Sequence, residues 1–137
     1  MASLAAIRTA LQSRLQSITG LTVYDVWPDV LNFPCAVIGV GTAQYEQTLG
    51  PNPDTDVRLE VQLLVSGAPG LARAQRNLDP YLSTSSTGSV FGAIKADRTL
   101  GGVVQSSFVH GWRDYGPQDL DIGQALGVII DVEVGSS

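Results

Sequence analysis

The stretch "VRLEVQLLV", Val57 to Val65, sends Val57, Leu59, Val61, Leu63 and Val65 one way and Arg58, Glu60 and Gln62 the other. A two-residue period is the signature of a strand with one buried and one wet face. The pattern returns in "QALGVIIDVEV", where Leu126, Val128, Ile130, Val132 and Val134 alternate with Gly127, Asp131 and Glu133. A sheet built from such strands needs a cover for its apolar face, and helices elsewhere in the chain must supply it.

Leu4, Ile7, Leu11, Leu15 and Ile18 recur at spacings of three and four, which predicts an amphipathic helix with Ser3 as N-cap and Gly20 as its stop. "LTVYDVW" reads as a strand cut off by Pro28. "CAVIGVGTAQYEQ" reads as a second strand, running to the breaker-rich "TLGPNPDTD" before the alternating segment begins. Leu71, Ala74, Leu78 and Leu82 share a helical face, and Pro80 ends or kinks that helix. After the Ser/Thr run from Ser83 to Ser89, "VFGAIKAD" is a short helix capped by Ser89. "GGVVQSSFVHGWRDY" and the last alternating strand then form a hairpin around the turn-rich "GPQDLDIG". The order is helix, three strands, two helical pieces, two strands. That order predicts one α+β domain over residues 1–137, with a mainly antiparallel sheet of about four to five strands built from hairpins and helices packed on one face.

Composition removes several functions. Net charge is −5 and Lys95 is the only lysine, so no basic stripe exists to neutralise a phosphate backbone. No apolar run approaches the roughly 20 residues that span a bilayer. The opening segment carries arginines within its apolar periodicity, unlike a signal peptide. Cys35 is the only cysteine, which excludes an internal disulfide and reads as a small buried filler. A soluble protein of a reducing cytoplasm is expected.

"GVGTAQ", Gly39 to Gln44, invites a dinucleotide reading, yet Gln44 stands where a third small residue belongs and "YEQTLGPNP" cannot open a helix. The lone lysine lies outside any phosphate-loop pattern. Gly39 and Gly41 are better read as a shallow trough in a strand, open to the first helix, to Trp27 or to another subunit, so that Gly41→Val would disturb packing. His110, the single histidine, sits in a strand pattern without a nucleophile beside it and is expected to be partly buried and bonded to a neighbour. The pairs Asp54/Asp56 and Asp119/Asp121 fall in loops and lack the rest of a calcium-loop pattern, so they read as solvated charge. Trp27, Trp112, Tyr24 and Tyr115 suit either a protein interface or half-buried strand positions. No catalytic set, cofactor site or metal-ligand set is expected, and function must come from surfaces.

The layout resembles the tail terminator, or tail completion, proteins of long-tailed bacteriophages and prophages, especially those of actinobacterial hosts. The likeness spans nearly the whole chain. It rests on "LAAIRTALQSRLQSITGLTVYD", on "VWPDVLNFPCAVIG", on "QYEQTLG" before a polar loop and an alternating strand, on "LDPYLS", and on "SVFGAIKADRTLGGVV" leading to a "YG" turn and a final strand. The resemblance implies a structural subunit of a ring, typically a hexamer, on the head-proximal end of the tail tube in the virion, assembled in the host cytoplasm. Such a ring stops tube polymerisation, docks the head connector and lets DNA pass through its lumen without specific binding. Its partners would be further copies of itself, the major tail tube protein and a head-closure or neck protein. Another head-to-tail joining protein is the alternative, and a small cytoplasmic ligand-binding domain a more distant one. Two loops are the expected contacts with tube or connector: Thr48 to Asp56, with Thr48, Leu49, Asn52, Asp54 and Asp56, and Tyr115 to Ile122, with Tyr115, Gln118, Asp119 and Asp121. Arg58, Arg73, Arg76 and Arg113 either pair with acidic groups of an adjacent subunit or stay solvated.

Overall fold

The computed structural model describes residues 4–18, 20–26, 28, 32–44, 55–67, 70–84, 88–104, 106–120 and 123–136. Helix α1 (Leu4–Leu15) precedes strands β1 (Thr22–Tyr24), β2 (Cys35–Gln44) and β3 (Thr55–Ser66). Helix α2 (Leu71–Leu78), a 3-10 turn (Asp79–Leu82) and helix α3 (Val90–Ala96) follow, and the hairpin strands β4 (Ser106–Leu120) and β5 (Gly123–Ser136) complete the chain. The strands form one sheet in the order β1-β2-β3-β5-β4. The fold is α+β, as the element order predicts.

The alternating segments behave as their periods require. Val57, Leu59, Val61, Leu63 and Val65 of β3 and Leu126, Val128, Ile130, Val132 and Val134 of β5 are buried on one face. Ile7, Leu11 and Leu15 of α1, Ala74 and Leu78 of α2, and Val90, Ala93 and Ile94 of α3 are buried in the same cluster. Burying a Leu, Ile or Val side chain contributes about 1.5–3 kcal/mol, so this face supplies the main driving force. Helix ends fall where the local chemistry puts them. Ser89 Oγ accepts from Gly92 N at 3.0 Å and caps α3. Gly20 closes the turn after α1 at φ 83°, where a side chain would be strained. Pro80 lies in the 3-10 turn that replaces a further turn of α2. Ser3 lies outside the described residues.

Three features differ from the sequence reading. First, β1 pairs with β2 in parallel, Thr22 opposite Cys35, so the sheet is mixed although mostly antiparallel. A parallel neighbour requires the chain to return to its starting end between Tyr24 and Cys35, which strand composition does not reveal. Second, the expected turn "GPQDLDIG" is largely strand: Gly116 opposes Gly127 and Asp119 opposes Gln124. Third, Thr55 and Asp56 belong to β3, opposite Ser136 and Gly135, instead of to a loop. In both places a long β5 offers ladder partners for the backbone, and those bonds override the breaker character of the residues.

The other face is not bare throughout. Cys35, Val37, Leu64 and Ala125 form a second buried cluster there, packed against Tyr24 and Phe33. The rest of that face carries Arg58, Glu60, Gln62, Asp131 and Glu133, the polar members of the alternating strands, together with Ile129 and Phe108.

Candidate interaction surface

Strand β4 forms one edge of the sheet over 15 residues, with a partner only on its β5 side among the described residues. Two irregularities shape it. Val109 opposes Val132 and Gly111 opposes Asp131, so His110 is an extra residue; Arg113 opposes Ile129 and Gly116 opposes Gly127, so Asp114 and Tyr115 together face Val128. Each bulge flips the side chains that follow it to the other face. Strict alternation from Val109 would send Arg113 toward the helices. The first bulge instead places it on the open face beside β5 and β3. At the second, Asp114 takes φ 58°, and Tyr115 packs against the helix-side core.

On the open face the charges form two groups. Glu60 and Asp131 stand directly opposite each other on neighbouring strands, a like-charge pair that costs stability unless bridged. Arg113 bridges it: Nε donates to Asp131 Oδ2 at 3.3 Å, Nη1 to Asp114 Oδ2 at 2.9 Å, and Nη2 to Glu60 Oε1. Partial burial opposes the guanidinium charge, but Asp131, Glu60 and Asp114 outweigh it and raise the Arg113 pKa above its ordinary value. In the second group Arg58 Nη2 lies 3.6 Å and His110 Nε2 3.0 Å from Glu133 Oε2. His110 is therefore bonded to a neighbour, as expected, but it is exposed, because the bulge lifts it out of the pleat.

Apolar surface accompanies this edge. Phe108, 41 % exposed, lies opposite Glu133 on the open face, and Trp112, 55 % exposed, lies opposite Ile130 on the helix side. Trp112 is thus more exposed than a half-buried strand residue. Its ring sits 5.8 Å from that of Tyr115. Beside it, a groove of about 310 Å³ runs between β4 and the helical layer, lined by Tyr81, Leu82, Phe91, Val109 and Trp112. Lys95 Nζ stands over the Phe91 ring at 5.9 Å.

The opposite edge is β2. Strand β1 pairs only with Cys35 to Val37, so Ile38 to Gln44 have no partner on their outer side among the described residues. The expected trough is present at Gly39. About 260 Å³ is framed by Arg8, Val26, Val37, Gly39, Glu60 and Ile129, and a Cβ on Gly39 would meet only the Glu60 carbonyl oxygen, at 3.8 Å. Gly41 falls at a register shift between Val40 and Thr42, a bulge after which pairing resumes with Thr42 opposite Arg58.

The connection from α3 to β4 is closed by its own polar groups. Asp97 Oδ1 accepts from Thr99 Oγ1 at 2.9 Å and Oδ2 from Gly101 N at 2.9 Å, and these bonds, the threonine hydroxyl foremost, hold its carboxyl below the usual range. Buried Ser107 donates to the Arg98 carbonyl at 2.8 Å and its own carbonyl accepts from Arg98 Nη1 at 3.2 Å.

Of the residues singled out from sequence, Thr48, Leu49, Asn52, Asp54 and Asp121 lie outside the described residues, as does Trp27. Asp56 lies in β3, and Gln118 and Asp119 in β4, so they are ladder residues and not loop tips. Tyr115 is likewise in β4. Arg58 and Arg113 carry intrachain partners, whereas Arg73 and Arg76 lie on the exposed side of α2. Arg58 and Arg113 thus share the open face of the sheet, and Arg73 and Arg76 lie on the helical layer. Phe108 and the acids Glu60, Asp131 and Glu133 were not singled out. Alternation alone puts the acids on a wet face, but only the register makes them neighbours.

Among the described residues no three His, Cys, Asp or Glu side chains converge as a metal set, and no helix is long and apolar enough to cross a membrane. Compared with known protein families and with characterised proteins, the sequence finds no match.

Proposed function

We propose that this chain is a structural assembly protein, a ring-forming tail terminator that caps the head-proximal end of a phage tail tube. The reading begins from the resemblance in layout. One structural observation carries it further: among the described residues the sheet ends on one side in a long edge strand with Phe108 and Trp112 exposed, and on the other in the unpaired part of β2. Exposed aromatics on a free edge suit contact with another chain. The acidic net charge of −5 suits a conduit that DNA must cross without sticking.

In this role the chain does no covalent chemistry. Its copies close on the last ring of tube protein, remove the surface on which the tube would grow, and offer a new one to the head connector. Electron microscopy of particles from a phage lacking the protein tests this. Overlong, headless tails are expected; tails of normal length beside unattached heads would assign the chain to head closure instead.

A further inference from the structure

We propose that neighbouring copies join head to tail through their sheet edges. Ser107 to Val109 of β4 in one subunit add antiparallel to the outer side of β2 at Ile38 to Val40 in the next, and Phe108 enters the trough at Gly39. This rests on the ring reading above and specifies its interface.

Strand polarity provides the first ground. β2 and β3, β3 and β5, and β5 and β4 are each antiparallel, so the two edge strands β2 and β4 run in opposite directions. A copy rotated about an axis roughly along the strands keeps its strand directions. It therefore presents β2 antiparallel to the neighbour's β4, and the sheet continues from subunit to subunit in the pairing sense it already uses. Two different surfaces meeting this way make a heterologous contact, the kind that closes into rings.

The second ground is length. The bulge at His110 interrupts the regular alternation on β4 just after Val109, and the bulge at Gly41 interrupts it on β2 just after Val40. Between these limits and the end of β1, three residues on each strand can pair: Ser107 to Val109 on β4 and Ile38 to Val40 on β2. Setting Phe108 opposite Gly39 places Val109 opposite Ile38 and Ser107 opposite Val40.

The third ground is the match of faces and shapes in that register. Phe108 and Gly39 both lie on the open face, opposite Glu133 and Glu60 in their own chains. Val109 and Ile38 both lie on the helix side, packed with the main core. An aromatic side chain 41 % exposed thus meets a strand position without a side chain, beside a trough bordered by Val26, itself 55 % exposed. Placing an aromatic over an edge glycine is a recurrent way to fix strand register. Each subunit carries the knob on one edge and the hole on the other, so the contact repeats.

The test is oxidative cross-linking of the Phe108→Cys, Gly39→Cys double variant, with light scattering of the wild-type protein across concentration. Within one chain the two positions are separated by three strand spacings, roughly 14 Å, too far for a disulfide. Across the proposed contact they face each other at disulfide distance. The expected result is a ladder of covalently linked chains longer than two that ends at the ring size, with neither single variant giving it. Phe108→Ala should raise the concentration for half-assembly roughly tenfold. Oligomers in light scattering without a ladder would overturn the edge contact and leave the ring reading standing. A dimer from Phe108→Cys alone would replace the contact by symmetric β4 pairing. A monomer at every concentration without cross-links, together with normal tails in the particles described above, would overturn both.

Discussion

Tyr115 on the edge strand donates its hydroxyl proton to Asp79 Oδ1 at 2.7 Å, joining β4 to the 3-10 turn 36 residues earlier. The contact exists because the bulge at Asp114 and Tyr115 turns the ring toward the helices. It ties the outermost strand to the helical layer. Partial burial first, and then the bond and the charge of Asp79, push the Tyr115 pKa from 10.0 up to about 12.

This pKa gives a stability profile. The folded value lies above the unfolded one, so the contribution is complete below pH 10 and is lost as the pH rises from 10 toward about 12. Tyr115→Phe is expected to remove the late step from the alkaline absorbance titration of the four tyrosines and to cost at most about 1 kcal/mol at neutral pH. An unchanged titration curve would show that Tyr115 ionises freely.

Arg113 holds apart two acids that the register forces together. Arg113→Gln leaves Glu60 and Asp131 facing each other, and a loss of stability is expected in urea unfolding at low salt, shrinking as salt screens the pair. Adding Glu60→Gln to that variant should restore most of the loss. Equal losses with and without Glu60→Gln would show that Arg113 acts through packing of its stem.

Leu59 is completely buried at the centre of β3, and Leu59→Ala is expected to cost about 3 kcal/mol with a cavity left behind. Gly39→Ala, at the sheet edge and with its Cβ 3.8 Å from the nearest backbone atom, should change stability by less than about 0.5 kcal/mol. Thermal melts of the two variants give the comparison. A large loss for Gly39→Ala would mean that the trough is filled in the folded chain.

Cys35 is fully buried, and burial pushes its thiol up to about 11. Only the thiolate attacks, so alkylation by iodoacetamide at pH 8 should be slower than for a free thiol by at least about a hundredfold and recover on unfolding in urea. Fast labelling of the native protein would reveal opening at the Tyr24 and Phe33 cover.

How much of this was legible follows from the range of each signal. The buried sides of α1, β3 and β5 were readable because Leu11, Leu59 and Val128 belong to periods that repeat within a few residues. The Ser89 cap and the stop at Gly20 are local chemistry and were readable for the same reason. The extent of β4 was not: Pro117 and Asp119 look like turn residues until β5 is known to lie beside them.

The sequence by itself determined which faces are apolar, where helices start and stop, and therefore the α+β class, since these depend on spacings along the chain. Only the tertiary structure decided which strands became edges, that β1 runs parallel to β2, and that Arg113 reaches Glu60 while Tyr115 reaches Asp79. Those outcomes hang on pairing between distant segments and on two bulges in β4, and a single extra residue in a ladder reverses every side chain after it without leaving a period to read.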